Sequence, residues 1–236
     1  MGKGWKKASM LDASQKKGKL FTKLAKEIYI ATKMGGPDPD GNPRLKMAIR
    51  AAMDVSCPKN TIERAIKKGS GQADDGEVIE EILYEGQGPH NVGVLVECQT
   101  DNRNRTVSEV RNIFKKHKGQ MGDKGSASWM FDPICLIEAI KSDVTDAEED
   151  AIEVGANEVE ADEEAANTYS FYGDAEELDN IKTALTERGW DVAKAELSYK
   201  PKNYTELEGE MRDEVIQFLE ALDDNDDTSK LFTTLS

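Results

Sequence analysis

The chemistry written most plainly in this sequence is that of cations. Of its 31 Lys and Arg residues, 16 lie in the first 72 positions, where only 6 Asp and Glu oppose them. The remaining positions carry 15 cations against 40 carboxylates, so a segment of net +10 precedes one of net −25. Ammonium and guanidinium groups at that density neutralise phosphates, and such an asymmetry points to a polyanion or an acidic partner. The side chains concerned are Lys6, Lys7, Lys16, Lys17, Lys19, Lys23, Lys26, Lys33, Arg44, Lys46, Arg50, Lys59, Arg64, Lys67 and Lys68. Arg103 and Arg105, in the polar stretch Asp101-Asn102-Arg103-Asn104-Arg105, form a second basic segment, read as a loop. A guanidinium fork suits a phosphate, although ion pairs with Asp101 and Glu109 are an equal use for these two. For the whole basic block, the competing reading is a solvated helical surface. The one-sided placement of the lysines, described below, favours a polyanion.

Other chemistries lack their residues. His90 and His117 are the only histidines, and neither stands at metal-ligand spacing from a cysteine. Gly119-Gln120-Met121-Gly122-Asp123-Lys124-Gly125-Ser126 is glycine-rich, but its order is not that of a P-loop and it reads as a turn. The acidic runs single out no carboxylate pair, and no nucleophile–base arrangement is visible. The expectation is a protein that is not an enzyme, with no cofactor, no metal and no small-molecule substrate. Cys57, Cys98 and Cys135 are odd in number and far apart, which suits free thiols in a reducing compartment. No apolar run is long enough for a membrane span, and no apolar stretch follows the basic start. The cytoplasm is the expected address.

The elements that must position the cations follow from periodicity. Leu20, Phe21, Leu24, Ile28 and Ala31 recur at helical spacing over residues 19–34, which places Lys19, Lys23, Lys26 and Lys33 in one row on the opposite face. Gly35-Gly36-Pro37 ends that helix. Upstream, Trp5 to Lys17 has weaker periodicity and suits a short helix or an arm. Asn42-Pro43 starts a second helix with Leu45, Ala48, Ile49 and Ala52 inward and Lys46 and Arg50 outward. Pro58 opens a third, with Ile62, Ala65 and Ile66 inward and Arg64, Lys67 and Lys68 in the last turn. Cations there also complement the helix dipole, so part of this cluster is capping. A polar linker, Ser70 to Gly76, follows.

Beyond it the period changes. Val78–Tyr84 and Val92–Cys98 read as strands around the turn Gly86-Gln87-Gly88-Pro89, Thr106–His117 as a helix, and Ala127–Phe131 as a strand. Residues 134–199 then spell strand, helix, two strands, helix, strand, the split βαβ order. A helix at Glu208–Leu222, a solvated acidic turn at Asp223–Asp227 and a strand at Leu231–Leu235 complete the interrupted set. The fold class is α+β: an N-terminal three-helix domain followed by two ferredoxin-like α/β domains of βαββαβ type, one inserted in the other. The expected limits are 1–75 for the basic helical domain, 76–133 plus 203–236 for the discontinuous middle domain, and 134–202 for the inserted one.

Several motifs together resemble the YebC family, to which the mitochondrial translational activator of cytochrome oxidase belongs. They are Lys16-Lys17-Gly18-Lys19 with Phe21-Thr22-Lys23-Leu24, Gly35-Gly36-Pro37-Asp38-Pro39, Asn42-Pro43-Arg44-Leu45, and Cys57-Pro58-Lys59 with Ile62 to Gly69. Tyr84-Glu85-Gly86, Gly88-Pro89, Thr100 to Thr106 and Gly125-Ser126 before Trp129-Met130-Phe131 extend the likeness. The main bacterial branch opens Gly-His-Ser-Lys-Trp, whereas Gly2-Lys3-Gly4-Trp5 keeps only the glycine and tryptophan. The resemblance implies a helical N-terminal domain and two α/β domains. It further implies DNA binding and transcription regulation for some members, and for others a ribosome-associated role as translation activator. DNA and ribosomal RNA are thus the two expected partners.

Overall fold

A computed structural model describes residues 13–72, 78–162 and 165–236, with side chains from Lys17 onward. The chain divides into two compact units, one spanning Phe131–Lys202 and the other joining the described residues before it to Asn203–Ser236.

The second of these units opens with three helices, α1 (Ala13–Gly35), α2 (Pro43–Asp54) and α3 (Lys59–Gly69). Each offers one apolar stripe. Ile28 and Ala31, Leu45, Ala48 and Ala52, and Ile62 and Ala65 meet in a common core that Cys57 closes. Apolar periodicity starts α1 at residue 19, but the helix begins at Ala13, because polar Gln15, Lys16 and Lys17 carry no apolar signal yet still propagate a helix. Pro58 caps α3 from an extended conformation rather than occupying its first turn.

Asn42 fastens the α1–α2 corner. Its Oδ1 accepts from the Leu45 amide at 3.1 Å, while its Nδ2 donates to the carbonyls of Ala31 (2.7 Å) and Gly36 (2.8 Å). One side chain thus caps the start of α2 and ties it to the backbone of Ala31 and Gly36 at the end of α1. Gly35 packs against it so closely that a Cβ there would lie 2.7 Å from the Asn42 amide. Asn42→Ala is expected to cost about 1–2 kcal/mol as a lost cap, read as a lower urea midpoint. Asn42→Asp should restore only part of it, because a carboxylate can cap the Leu45 amide but cannot donate to the two carbonyls.

In the same unit, β1 (Glu80–Gln87) and β2 (Gly93–Thr100) form a hairpin. They are followed by α4 (Arg103–Lys116) and β3 (Gln120–Met121). After the other unit come α7 (Gly209–Asp223) and β8 (Thr228–Thr233). The strand order is β3-β1-β2-β8 with every neighbour antiparallel. Tyr84, Val94, Val96 and Cys98 pack against Val110 and Phe114 of α4 and Val215, Phe218 and Leu222 of α7.

The hairpin turn lies at Pro89–Asn91, with His90 and Asn91 at positive φ, so Gly86 and Gln87 belong to β1 rather than to the turn expected there. Ser128–Met130 is a 3-10 turn, not the expected strand. The chain order differs from βαββαβ as well. The strand beside β3 is β1, which comes from the front of the segment as half of a hairpin, giving ββαβ…αβ.

The unit Phe131–Lys202 holds β4 (Phe131–Ile140), α5 (Ala147–Val154), β5 (Glu158–Ala161), β6 (Thr168–Asp174), α6 (Leu178–Glu187) and β7 (Asp191–Pro201). Its order is β5-β6-β4-β7, all antiparallel, the arrangement expected of a split βαβ unit. Alternate β4 residues Cys135, Ile137 and Ala139 meet Phe171, Ile181, Leu185 and Trp190 in the core.

Candidate nucleic-acid interface

Three of the four lysines of the α1 row, Lys19, Lys23 and Lys26, are docked within the fold, and only Lys33 is left exposed. Lys19 Nζ donates to the Asp224 carbonyl at 2.8 Å and lies 3.6 Å from the Asp226 carboxylate. Lys23 donates to the Asp223 carbonyl, and Lys26 to the Asp226 carbonyl at 3.0 Å and to Asp227 Oδ1 at 2.5 Å. Asp223 ends α7 and Asp224 caps it. The row therefore sits at the negative end of the α7 dipole, where cations are favoured. The expectation of a free row and of a solvated Asp223–Asp227 turn is corrected by this docking.

Asp227 is the centre of the contact. It is 3% exposed, and besides Lys26 it accepts from Thr106 Oγ1 at 2.7 Å and from an Arg105 terminal nitrogen at 2.9 Å. Burial alone would raise its pKa, but the bonds from Lys26, Thr106 and Arg105 outweigh that and hold the carboxyl below its ordinary value.

Two more of the expected cations are likewise engaged. Arg44 grips Glu27 with two nitrogens, at 2.7 and 3.0 Å, and reaches Glu81 at 2.7 Å. Glu27 also takes Gln99 Nε2 at 2.6 Å. Burial works against both charges, yet the mutual bonds lower the Glu27 pKa and raise that of Arg44. Arg105 binds Asp101 at 2.9 Å as well as Asp227. The segment expected to be a loop is the first turn of α4, capped by Asn102. Glu109 pairs with Asn225 rather than with an arginine.

The outward cations stand on α2 and α3. Lys46 and Arg50 project from α2, Lys46 with its side chain 69% exposed. Lys59, Arg64 and Lys67 project from α3 and are all exposed. Lys59 stands 3.7 Å from Glu63 and Lys46 3.8 Å from Asp40, loose surface pairs that cost little to break. Arg64 donates through two nitrogens to Asn60 Oδ1, at 3.0 and 2.7 Å. Asn60 was not among the expected site residues, although its i, i+4 spacing from Arg64 was a signal for it. Lys68 lies half-buried in a cleft that α3 lines with Thr61 and Arg64 opposite Asp101, Glu109 and Asp226, while Lys17, Lys33 and Arg103 are exposed. Lys6, Lys7 and the side chain of Lys16 fall outside the described residues.

The amides of Gly119, Gly122, Gly125 and Ser126 in the glycine-rich segment are bonded within the fold. Glu85, 4% exposed, accepts from the amides of Gly125 (3.0 Å), Ala127 (3.0 Å) and Ser128 (2.9 Å). The chain's own carboxylate fills the donor cluster that an anion would otherwise take. His90 Nε2 lies 2.9 Å from Glu214, and His117 packs beside Phe218. Among the described residues, no group of three or more His, Cys, Asp and Glu is placed to hold a metal, and no helix is long and apolar enough to cross a membrane.

Three helices ahead of two four-stranded antiparallel sheets, with outward cations on the second and third helix, define an α+β protein carrying a basic helical module. The model of the TACO1/YebC N-terminal domain matches residues 3–72, and that of the TACO1/YebC second and third domain matches 79–235. A probable transcriptional regulatory protein of Bdellovibrio bacteriovorus is 57% identical over 235 residues, covering all of both chains. Another, of Geobacter sulfurreducens, is 46% identical over 93% of this chain and 88% of its own. A crystal structure of a conserved hypothetical protein from Aquifex aeolicus covers 98% of this chain and 93% of its own, with TM-score 0.79 and 41% identity. The chain belongs to the TACO1/YebC family.

Proposed function

We propose that this protein is a transcriptional regulator that binds DNA phosphates through the basic helical module, with no catalytic activity and no cofactor, in the cytoplasm. The observation that carries the reading is the outward set Lys46, Arg50, Lys59, Arg64 and Lys67 on two adjacent helices, left over after Lys19, Lys23, Lys26, Arg44 and Arg105 are engaged within the fold. The names of the bacterial relatives agree with it. Lys17, Lys33 and Arg103, with Lys6, Lys7, Lys16 and Lys68, are the supporting cations of this reading. Binding of ribosomal RNA by a translation factor is the second reading, because phosphates of either polymer satisfy the same cations. The net −25 that follows residue 72 gives such a factor surface for basic ribosomal proteins.

Titration of duplex DNA and of purified ribosomes at several salt concentrations separates the two. Lys46→Gln, Arg50→Gln and Lys67→Gln combined should flatten the salt dependence, by about 0.9 in log–log slope for each phosphate no longer neutralised. DNA affinity that is equal for all sequences and far weaker than that for ribosomes would move the function to translation. Unchanged binding of both by the triple variant would sink the proposed interface. Charge reversal of Lys19, Lys23 and Lys26 is not a clean test, since it would first unseat α1 from α7.

A further inference from the structure

We infer that α2 and α3 form a helix-turn-helix in which α3 enters the major groove of B-form duplex DNA, with Arg64 and Asn60 as its base-reading pair. This rests on the nucleic-acid reading above and goes beyond it by naming the groove, the helix and the readers. The two helices are joined by the four residues Val55–Pro58, the turn length of that motif. Ser56 takes a positive φ in this turn, and buried Cys57 anchors it to the helical core. Both helices pack on α1 through their apolar sides, Ala48 and Ala52 from α2 and Ile62 and Ala65 from α3. That is the three-helix form in which the first helix braces the other two.

The exposed side of α3 is then set by geometry. At 100° per residue, Asn60, Arg64 and Lys67 lie opposite Ile62 and Ala65, and all three are exposed. With 11 residues, α3 extends roughly 16 Å, enough to cross a groove about 12 Å wide. Its first turn contains no acidic residue, and no side chain caps its N-terminus. The end that leads into a groove therefore carries Lys59 and Asn60.

Arginine and asparagine are the side chains whose paired donors and acceptors match base edges, guanine O6/N7 and adenine N6/N7 respectively. Without DNA, Arg64 Nε and one terminal nitrogen both donate to Asn60 Oδ1, an exposed bond that base edges would replace on binding. Lys46 and Arg50 on α2 take the backbone-crossing role of the first helix of the motif, and Lys59 and Lys67 the phosphates flanking α3. The carboxylates across the cleft beside Arg64 are all engaged. Asp101 is held by Arg105, Glu109 by Asn225 and Asp226 by Lys19. An A-form RNA duplex has a major groove too narrow for a helix, so the fit is to duplex DNA.

The experiment is selection from a randomised duplex DNA pool by the full chain, with Arg64→Ala and Lys67→Gln compared, followed by titration of the selected site. The wild type should enrich a site containing a guanine. Arg64→Ala should lose the preference at that base and bind the selected site roughly 10- to 100-fold more weakly. Lys67→Gln should weaken all sequences alike and lower the salt slope by about 0.9. Both positions are exposed, so unchanged circular dichroism serves as the folding control. An Arg64→Ala protein that enriches the wild-type site overturns the inference, as does duplex RNA of the same sequence binding as tightly as the DNA. Equal binding of every duplex by the wild type removes this inference alone. Failure to bind any nucleic acid removes the regulatory reading with it.

Discussion

Asp227→Ala is expected to destabilise the unit of helices and split sheet by roughly 3–5 kcal/mol, the usual loss when one partner of a buried charge pair is removed. The magnitude follows from what the carboxylate holds. Its side chain is 2% exposed and that of Lys26 only 15%. The variant leaves the Lys26 ammonium with the Asp226 carbonyl but without its counter-charge, and the Thr106 hydroxyl, in the first turn of α4, loses one of its acceptors. Arg105, at 44% exposure and with Asp101 still beside it, adds little to the loss. Asp227→Asn should recover only part, because its amide nitrogen would be placed among donors. Urea denaturation followed by far-ultraviolet circular dichroism gives the size. Amide exchange along α1 and α4 gives the location, with faster exchange around Lys26 and Thr106 than in α2. A change under 1 kcal/mol would mean that Asp227 is a surface pair in effect, with water able to replace it.

The same residue shows where sequence reading stops. Periodicity located α1 because Leu24, Ile28 and Ala31 repeat at helical spacing, and it placed Lys19, Lys23 and Lys26 on the other face. A helical repeat identifies the face opposite one core. It carries no information about a second layer, here the end of α7, since that contact is made by lysines and backbone carbonyls rather than by an apolar stripe. Likewise Asp223 to Asp227 has the composition of a solvated turn, and only the approach of Thr106, Arg105 and Lys26 makes its last aspartate a buried one.

The strand expected at Ala127–Phe131 failed for a comparable reason. Trp129-Met130-Phe131 has the apolar run of a strand, but the Glu85 carboxylate gathers the amides of Gly125, Ala127 and Ser128 and bends the chain into a turn instead. Element order was legible from β4 to β7, where strands and helices follow the split βαβ pattern, although only β5 and β6 there pair as neighbours in sequence. The position of β1 next to β3 was not, because that pairing links Gly86 to Met121 across the whole of β2 and α4. Of the interface, the outward cations of α2 and α3 and the Arg105–Asp101 pair were readable from spacing alone, whereas the loss of Arg44 to Glu27 and Glu81 and of Arg105 to Asp227 required the fold.

Asp150→Ala is expected to lower the stability of the unit Phe131–Lys202 by roughly 2–4 kcal/mol, the cost of a buried donor left unsatisfied together with a broken, partly buried pair. Asp150 Oδ2 accepts from Trp190 Nε1 at 2.9 Å and from Lys141 at 3.2 Å, and Oδ1 accepts from Arg188 at 2.8 Å. Arg188 and Lys141 can turn to water, with side chains 36% and 24% exposed, but the indole N–H cannot, since Trp190 is 2% exposed and wedged against Tyr169 and Phe171. The indole donor therefore dominates, and Trp190→Phe in the Asp150→Ala background should recover part of the loss. Burial would raise the Asp150 pKa, but the bonds from Arg188, Lys141 and Trp190 prevail and lower it. Its folded value thus lies below the unfolded value of about 3.9. The contribution is then complete above that value and disappears as pH falls through the folded pKa. The stability gap between wild type and Asp150→Ala should be constant near neutrality and narrow in acid, where the neutral carboxyl still accepts from the indole but no longer pairs with Arg188 and Lys141. Fluorescence of Trp190, with Trp5 and Trp129 replaced by Phe, reads this directly during urea titrations at a series of pH values. A gap that widens in acid would show that the carboxyl is held protonated in the folded state, reversing the charge assignment of the cluster.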